Sequence, residues 1–291
     1  MQNSIKTWLA ATRAETLVAS ISPMLIGTML ASKITQLNYF FLSLTFLYGL
    51  LLHLGTNLSN DYYDYLKGAD NENRIAPLST IQTNQTSLNE IKFSFAIAFL
   101  AAFFVGLILI ARGGAIAAAL FALPIIFGYH YTAGKKPLGY MGLGEILVLL
   151  FFGPYACLGT YYLQTLTFSY LPILAGLGPG FLSVAVLVVN NLRDIDVDRP
   201  ANKLTLAVRF GKSFAKIEYT FCVIAAFLVP FFYFYLLKKP FILSASLFIF
   251  FTPLKLIFNF KDPKLLNVGL QKTVLLLIIY TIIFSTCLAF Y

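Results

Sequence analysis

The chain has 291 residues, 59% of them hydrophobic and only 11% charged, and it carries a net charge of +9. A soluble domain of this length needs far more charge to cover its surface. The 21 basic residues are scattered between apolar runs rather than clustered, which points to anionic headgroups and substrates and away from nucleic acid.

Apolar runs about 20 residues long read as transmembrane helices. Nine are expected in chain order, at 16–32, 39–60, 91–111, 114–131, 144–163, 168–191, 215–237, 240–257 and 272–290. The first has Lys6 and Arg13 before it, as a signal peptide would, but the equally apolar runs that follow make it the first span. The runs are too long for barrel strands and do not alternate apolar with polar residues. The expected fold is therefore all-α: one multi-pass helical bundle over residues 1–291, embedded in a lipid bilayer where each helix satisfies its own backbone hydrogen bonds. Cys157, Cys222 and Cys287 are isolated in apolar runs without metal or disulfide spacing, and read as small core residues.

Basic residues set the orientation. With the N-terminus in the cytoplasm, the cytoplasmic segments hold every Lys and Arg except Lys33, Arg112, Lys238 and Lys239, a ratio of 17 to 4. All 12 acids fall on the same side, although they were not used in the assignment. One face is polar and the other nearly bare.

Half of those acids lie in two stretches that follow the second and sixth spans: Asp61, Asp64 and Asp70, then Asp194, Asp196 and Asp198. Carboxylates beside a membrane are costly to desolvate and mark a functional site. Asn60 and Asp64 are four residues apart, as are Asn190 and Asp194, so each helix end presents an amide and a carboxylate on one face. Asp198 extends the second face by a turn. The recurrence, four spans apart, hints at an internal repeat. Hard oxygen donors on two facing tips suit Mg²⁺ ions, and Mg²⁺ at such a place implies a phosphate-bearing substrate whose leaving group the metal improves. Arg74, Lys135, Lys136, Arg193, Arg199 and Lys203 lie close in sequence and can clamp the remaining phosphate charge.

A diphosphate that leaves at a membrane surface suggests an isoprenoid donor, with its tail in lipid and its head at the interface. Ionisation gives an allylic cation, which aromatic faces stabilise. Tyr62, Tyr63, Tyr65, Tyr129, Tyr131 and Tyr140 flank the polar face. Asn57 faces the same pocket from within the second span. His53 orients substrate or makes an interhelical hydrogen bond, and His130 serves as a base or an interfacial polar group. Glu145, opening the fifth span, hydrogen-bonds an acceptor hydroxyl or binds a basic neighbour. Pro179, between Gly178 and Gly180, is expected to break or kink the sixth span.

At these residues the chain resembles the UbiA-type intramembrane aromatic prenyltransferases. Asn60 and Asp64 match the family's first motif, Asn-x-x-x-Asp-x-x-x-Asp, and Asp194 and Asp198 match its second, Asp-x-x-x-Asp. Position 68 is Gly and the next acid is Asp70, two residues late. This resembles the branch that prenylates 1,4-dihydroxy-2-naphthoate in menaquinone synthesis. Arg74 to Leu78, Pro137 to Glu145 with Phe151 to Gly153, and Val188 to Arg209 with Lys203 support that branch, and the resemblance extends to about Lys212. Position 15 departs from it, with Glu in place of Lys.

The resemblance implies a polyprenyl diphosphate donor and Mg²⁺ held by Asn60, Asp61, Asp64, Asp70, Asp194 and Asp198. Asp64, Asp194 and Asp198 are then the catalytic acids. Asn57, Asn60, Arg74, Tyr131, Lys135, Lys136, Glu145, Asn190, Arg193 and Lys203 bind substrate. The ring carbon bearing the carboxylate attacks the cation and carbon dioxide is lost, giving demethylmenaquinone. The expected setting is a cytoplasmic (inner) membrane, with the N-terminus and catalytic loops cytoplasmic. Two alternatives stand beside this reading: another aromatic acceptor, such as 4-hydroxybenzoate or a related naphthoate, and a cation transporter using the acids as an ion path. Transport sites lie near the bilayer midplane, whereas these acids gather at helix ends on one side.

Overall fold

The computed structural model of the chain describes residues 7–8, 11–70, 75–238 and 252–290. Among these, every regular element is a helix. A 3₁₀ turn at Ala14–Leu17 leads into α1 (Val18–Ser32), followed by α2 (Tyr39–Leu66) and α3 (Leu88–His130). The central region comprises α4 (Gly144–Leu150), a π turn at Phe151–Tyr155, and α5 (Ala156–Thr165). Then come α6 (Leu171–Asp198), α7 (Leu206–Leu236), α8 (Thr252–Asn259) and α9 (Leu265–Phe290).

Polar side chains fix the starts of several helices. Asn38 Oδ1 accepts from the Phe41 amide at 3.2 Å to start α2. Ser87 and Glu90 form a reciprocal capping box at α3, and Thr205 Oγ1 accepts from the Val208 amide to start α7.

The third and fourth expected spans are the two arms of α3. Gly114, at φ +65°, turns the chain back on itself in a conformation that costs a residue with a Cβ far more. As a result the rings of Phe99 and Tyr129 lie 6.2 Å apart, although a straight helix would hold them roughly 45 Å apart. Among the described residues seven helices are long and apolar enough to cross a membrane, and one of them, α3, carries two of the expected spans as its arms. The eighth expected span, 240–257, falls largely outside the described residues.

Helices α2 and α6 run past the expected spans, which end at 60 and 191, through the acid clusters to Leu66 and Asp198, so the amide and carboxylate pairs stand on helix as their four-residue spacing predicts. The carboxylates are satisfied by basic and hydroxyl groups inside the bundle, so the helices need not stop where the charge begins. Pro179 does not break α6, which is continuous. The break falls opposite it, at Phe152 and Gly153 between α4 and α5. There Gly153 meets Gly176 and Gly180 backbone to backbone: a Cβ on Gly153 would stand 2.7 Å from the Gly176 carbonyl oxygen. Small residues of this kind let membrane helices approach closely.

One core cluster joins α1, α5, α6, α7 and α9, with Leu182, Tyr219, Phe227 and Tyr280 fully buried. A second joins α2, α3 and α5 around Tyr48 and Phe121. Between them lies the cavity that holds the polar residues.

Candidate active site

Helix α2 delivers the first acid cluster by a specific ending. Gly68 takes φ +74°, the Ala69 amide donates to the Asp64 carbonyl at 2.9 Å, and the Gly68 amide donates to the Tyr65 carbonyl at 3.2 Å. This Schellman closure turns the chain so that Asp70 comes back to the same cavity as Asp64. The two-residue delay of the third acid is thus the length the left-handed glycine turn requires.

Asp64 and Asp198 are each only 3% exposed. The Lys203 ammonium lies 3.0 Å from Asp64 Oδ2 and 3.6 Å from Asp198 Oδ1, and so joins the tips of α2 and α6. The Tyr140 hydroxyl donates to the other Asp64 oxygen at 2.7 Å. Burial alone would lower the Lys203 pKa; Asp64 and Asp198 reverse that and hold it well above the usual lysine range. Burial raises the Tyr140 phenol, and the charge of Asp64 raises it further. Arg193 grips Asp194 with two nitrogens, at 2.8 and 2.7 Å, and donates to Asn267 Oδ1 at 2.8 Å. Arg13 pairs with Asp61.

All of these groups except Asp61 and Asn267 share one cavity of about 280 Å³. Its polar end is lined by Arg13, Asn60, Asp64, Asp70, Asn190, Arg193, Asp194, Asp198 and Lys203. Its apolar end is walled by Tyr48, Phe121, Phe127, Phe151, Phe152 and Tyr155. Asn57, Tyr131, Tyr140 and Glu145 also line it. A charged head and an apolar tail joined in one molecule match this division.

Several expected residues lie elsewhere. Lys135 and Lys136 are exposed and are not part of the cavity wall, because the turn after α3 points them to solvent. Asp61 faces Arg13 and does not line the cavity, since it is rotated away from the helix face shared by Asn60 and Asp64. Arg74 lies outside the described residues. Asp196 is exposed beside Lys212, and Arg199 is exposed.

Of the six tyrosines, only Tyr131 and Tyr140 reach the cavity. Tyr62 and Tyr63 pack on Phe95, and the Tyr63 and Tyr129 hydroxyls are 3.2 Å apart. His53 is held between Ser20, at 2.7 Å, and Thr16, at 3.4 Å, so it ties α1 to the backbone turn before it and to α2. Asn57 donates to the Thr12 carbonyl at 3.0 Å. His130 is exposed against Tyr129 and does not line the cavity.

Sequence reasoning missed Arg13 as part of the site, the Tyr140–Asp64 bond, and the Phe151–Phe152–Tyr155 wall. It also missed Asn267, which takes a hydrogen bond from Arg193 and which nothing in the sequence sets apart from the other polar residues of α9.

The donor set suits a hard divalent cation: carboxylates of Asp64, Asp70, Asp194 and Asp198, and amides of Asn60 and Asn190, all on one cavity. Among the described residues no three acids converge into a ready-made cation cage. Lysine and arginine balance the acids instead, with Lys203 standing as the cation between two of them. The residues therefore fit an ion that arrives together with an anionic substrate.

The profile of the UbiA prenyltransferase family matches residues 20–267. A 1,4-dihydroxy-2-naphthoate octaprenyltransferase from Haemophilus influenzae is 40% identical over 219 residues, 72% of this chain and 71% of that protein. One from Mycobacterium tuberculosis is 36% identical over 220 residues, 74% of each chain. Among solved structures, a UbiA homolog from Archaeoglobus fulgidus bound to DMAPP and Mg²⁺ shares the fold, with a TM-score of 0.64 at 15% identity, over 97% of this chain and 99% of that one.

Proposed function

The chain belongs to the UbiA prenyltransferase family, and from that premise we propose that it transfers a polyprenyl group from polyprenyl diphosphate to 1,4-dihydroxy-2-naphthoate. Diphosphate and carbon dioxide leave, and the product is the prenylated hydroquinone, the reduced form of demethylmenaquinone. The observation that carries the reading is Lys203, whose ammonium brings Asp64 of α2 and Asp198 of α6 to one point at the mouth of an apolar cavity.

Asp64, Asp70, Asp194 and Asp198, with Asn60 and Asn190, would hold Mg²⁺, which when bound neutralises the diphosphate and makes it a better leaving group. Lys203, Arg13 and Arg193 add fixed positive charge around the departing anion. Tyr140 holds Asp64 in one orientation. Phe127, Phe151, Phe152 and Tyr155 offer π faces to the allylic cation and keep water from capturing it. The ring carbon bearing the carboxylate forms the new carbon–carbon bond. The carboxylate carbon then leaves as carbon dioxide, and its bonding electrons stay in the ring.

The acid-bearing end faces the cytoplasm across an inner membrane, a placement supported by the 17 to 4 asymmetry of basic residues. The function is tested with purified protein in lipid, polyprenyl diphosphate and Mg²⁺, offering 1,4-dihydroxy-2-naphthoate or 4-hydroxybenzoate. Prenylated product with release of carbon dioxide is expected from the naphthoate. Turnover of the benzoate alone would move the protein to another branch of the family.

A further inference from the structure

Glu145 is the one buried carboxylate of the cavity that the mechanism leaves unused. It is 6% exposed and lines the cavity wall. Its Oε1 accepts a hydrogen bond from Asn191 Nδ2 at 2.8 Å. Its Oε2 is buried with no hydrogen-bond partner among the described residues, and no lysine or arginine among them pairs with it. A buried acceptor left unmade costs about 1–3 kcal/mol, more when charged, so the site calls for a donor from outside the chain.

The position narrows what that donor is. Asn191 precedes Asp194 by one turn of α6 and Asp198 by two, which places Glu145 roughly 5–10 Å deeper in the bundle than the acid tips. The Tyr131 hydroxyl, at 3.0 Å from where a Cβ on the neighbouring Gly144 would stand, closes the wall beside it. A diphosphate carries no donor and would be repelled by a carboxylate. A prenyl chain has no polar hydrogen at all. Of the reactants, only a hydroxylated ring has an O–H to give.

We propose that Glu145, held by Asn191, accepts a hydrogen bond from a ring hydroxyl of the aromatic acceptor and thereby restricts the enzyme to the hydroxylated, reduced form of the ring. This rests on the acceptor being an aromatic hydroxy acid, as proposed above. A ring oxygen that is a carbonyl or an ether presents only lone pairs to Oε2, and the buried carboxylate then stays unpaired. Sites built to take a substrate hydroxyl reject analogues lacking it far more strongly than apolar pockets reject a change of size.

The test compares wild type with Glu145→Gln and Asn191→Ala, using 1,4-dihydroxy-2-naphthoate and its two mono-methyl ethers. Wild type is expected to lose 100-fold or more in kcat/KM on at least one ether. Glu145→Gln keeps the shape and the Asn191 contact but turns an amide N–H toward the ring. It should raise the KM for the parent acceptor tenfold or more and shrink its preference over that ether to less than tenfold, with the KM for polyprenyl diphosphate within twofold of wild type. Asn191→Ala should shift the same acceptor KM in the same direction, and the unchanged donor KM reports that both variants are folded. The proposal is overturned if wild type prenylates the parent acceptor but both ethers equally well, or if Glu145→Gln lowers kcat with every acceptor without altering acceptor KM, as a carboxylate that only stabilises the cation would. Failure of wild type to prenylate the parent acceptor at all would instead refute the underlying function.

Discussion

Tyr140 and Lys203 make the acid site a single unit, and each can be removed separately. Tyr140→Phe deletes one hydrogen bond to Asp64 and keeps the ring that packs under Lys67 at 4.7 Å. It should lower kcat/KM by about 5- to 30-fold, the equivalent of roughly 1–2 kcal/mol, with at most a small drop in melting temperature; unchanged kcat/KM would show that the bond is incidental. Lys203→Met is harsher, because it strands two buried carboxylates that face each other. Breaking such a pair costs about 3–5 kcal/mol in dry interiors, and the cavity mouth reduces that. The expected result is both a lower melting temperature and at least a 100-fold loss of kcat/KM for the diphosphate donor, partly recovered in Lys203→Arg. The acids themselves were legible in the sequence because charge is so scarce in this chain. Their partners were not: Arg13 lies about 50 residues from Asp61, and Tyr140 about 75 from Asp64, so only the folded bundle brings them together.

The helices position these groups through close backbone approaches and one left-handed ending. Gly153→Ala drives a Cβ into the Gly176 carbonyl, at 2.7 Å, and the Gly180 Cα, at 2.9 Å, both of them backbone. It should destabilise the bundle by about 1–3 kcal/mol, read as a drop in detergent melting temperature. Gly159→Ala, whose Cβ meets only Phe121 at 3.7 Å, is the control and should be near neutral. Gly68→Ala has open space around it but a positive φ, so its cost is about 1 kcal/mol of backbone strain. Because that turn returns Asp70 to the cavity, activity should fall by more than the stability loss implies. The sequence marked Gly68 as a departure from a motif; only the Schellman bonds give the reason. It also placed a break or kink at Pro179, whereas α6 is continuous through its proline and the break falls in the opposing chain at Gly153. Proline was the visible breaker, and the glycine contacts that decided the outcome lie on different helices.

At the scale of the whole molecule, apolar length and basic asymmetry were enough to read a multi-pass all-α membrane protein with a polar face. The cavity was not readable, because its apolar walls come from aromatics of α2, α3 and the α4–α5 break that look in sequence like any other membrane core. The orientation is open to direct measurement. The native cysteines are buried, so Lys135→Cys and Lys33→Cys, both at exposed sites, should label from opposite sides of the membrane, with position 135 on the cytoplasmic side. Labelling of both from the same side would invert or break the assigned topology. Whether Asp64 and Asp198 serve one diphosphate site is read from the rate of Mg²⁺-dependent diphosphate release in Asp64→Asn, Asp198→Asn and the double variant. Residues acting as a unit are not additive. Each single change should therefore cost about 100-fold or more, and the double no more than about tenfold beyond the worse single. Losses that multiply in the double variant, or release that persists undiminished in either single, would contradict the shared site.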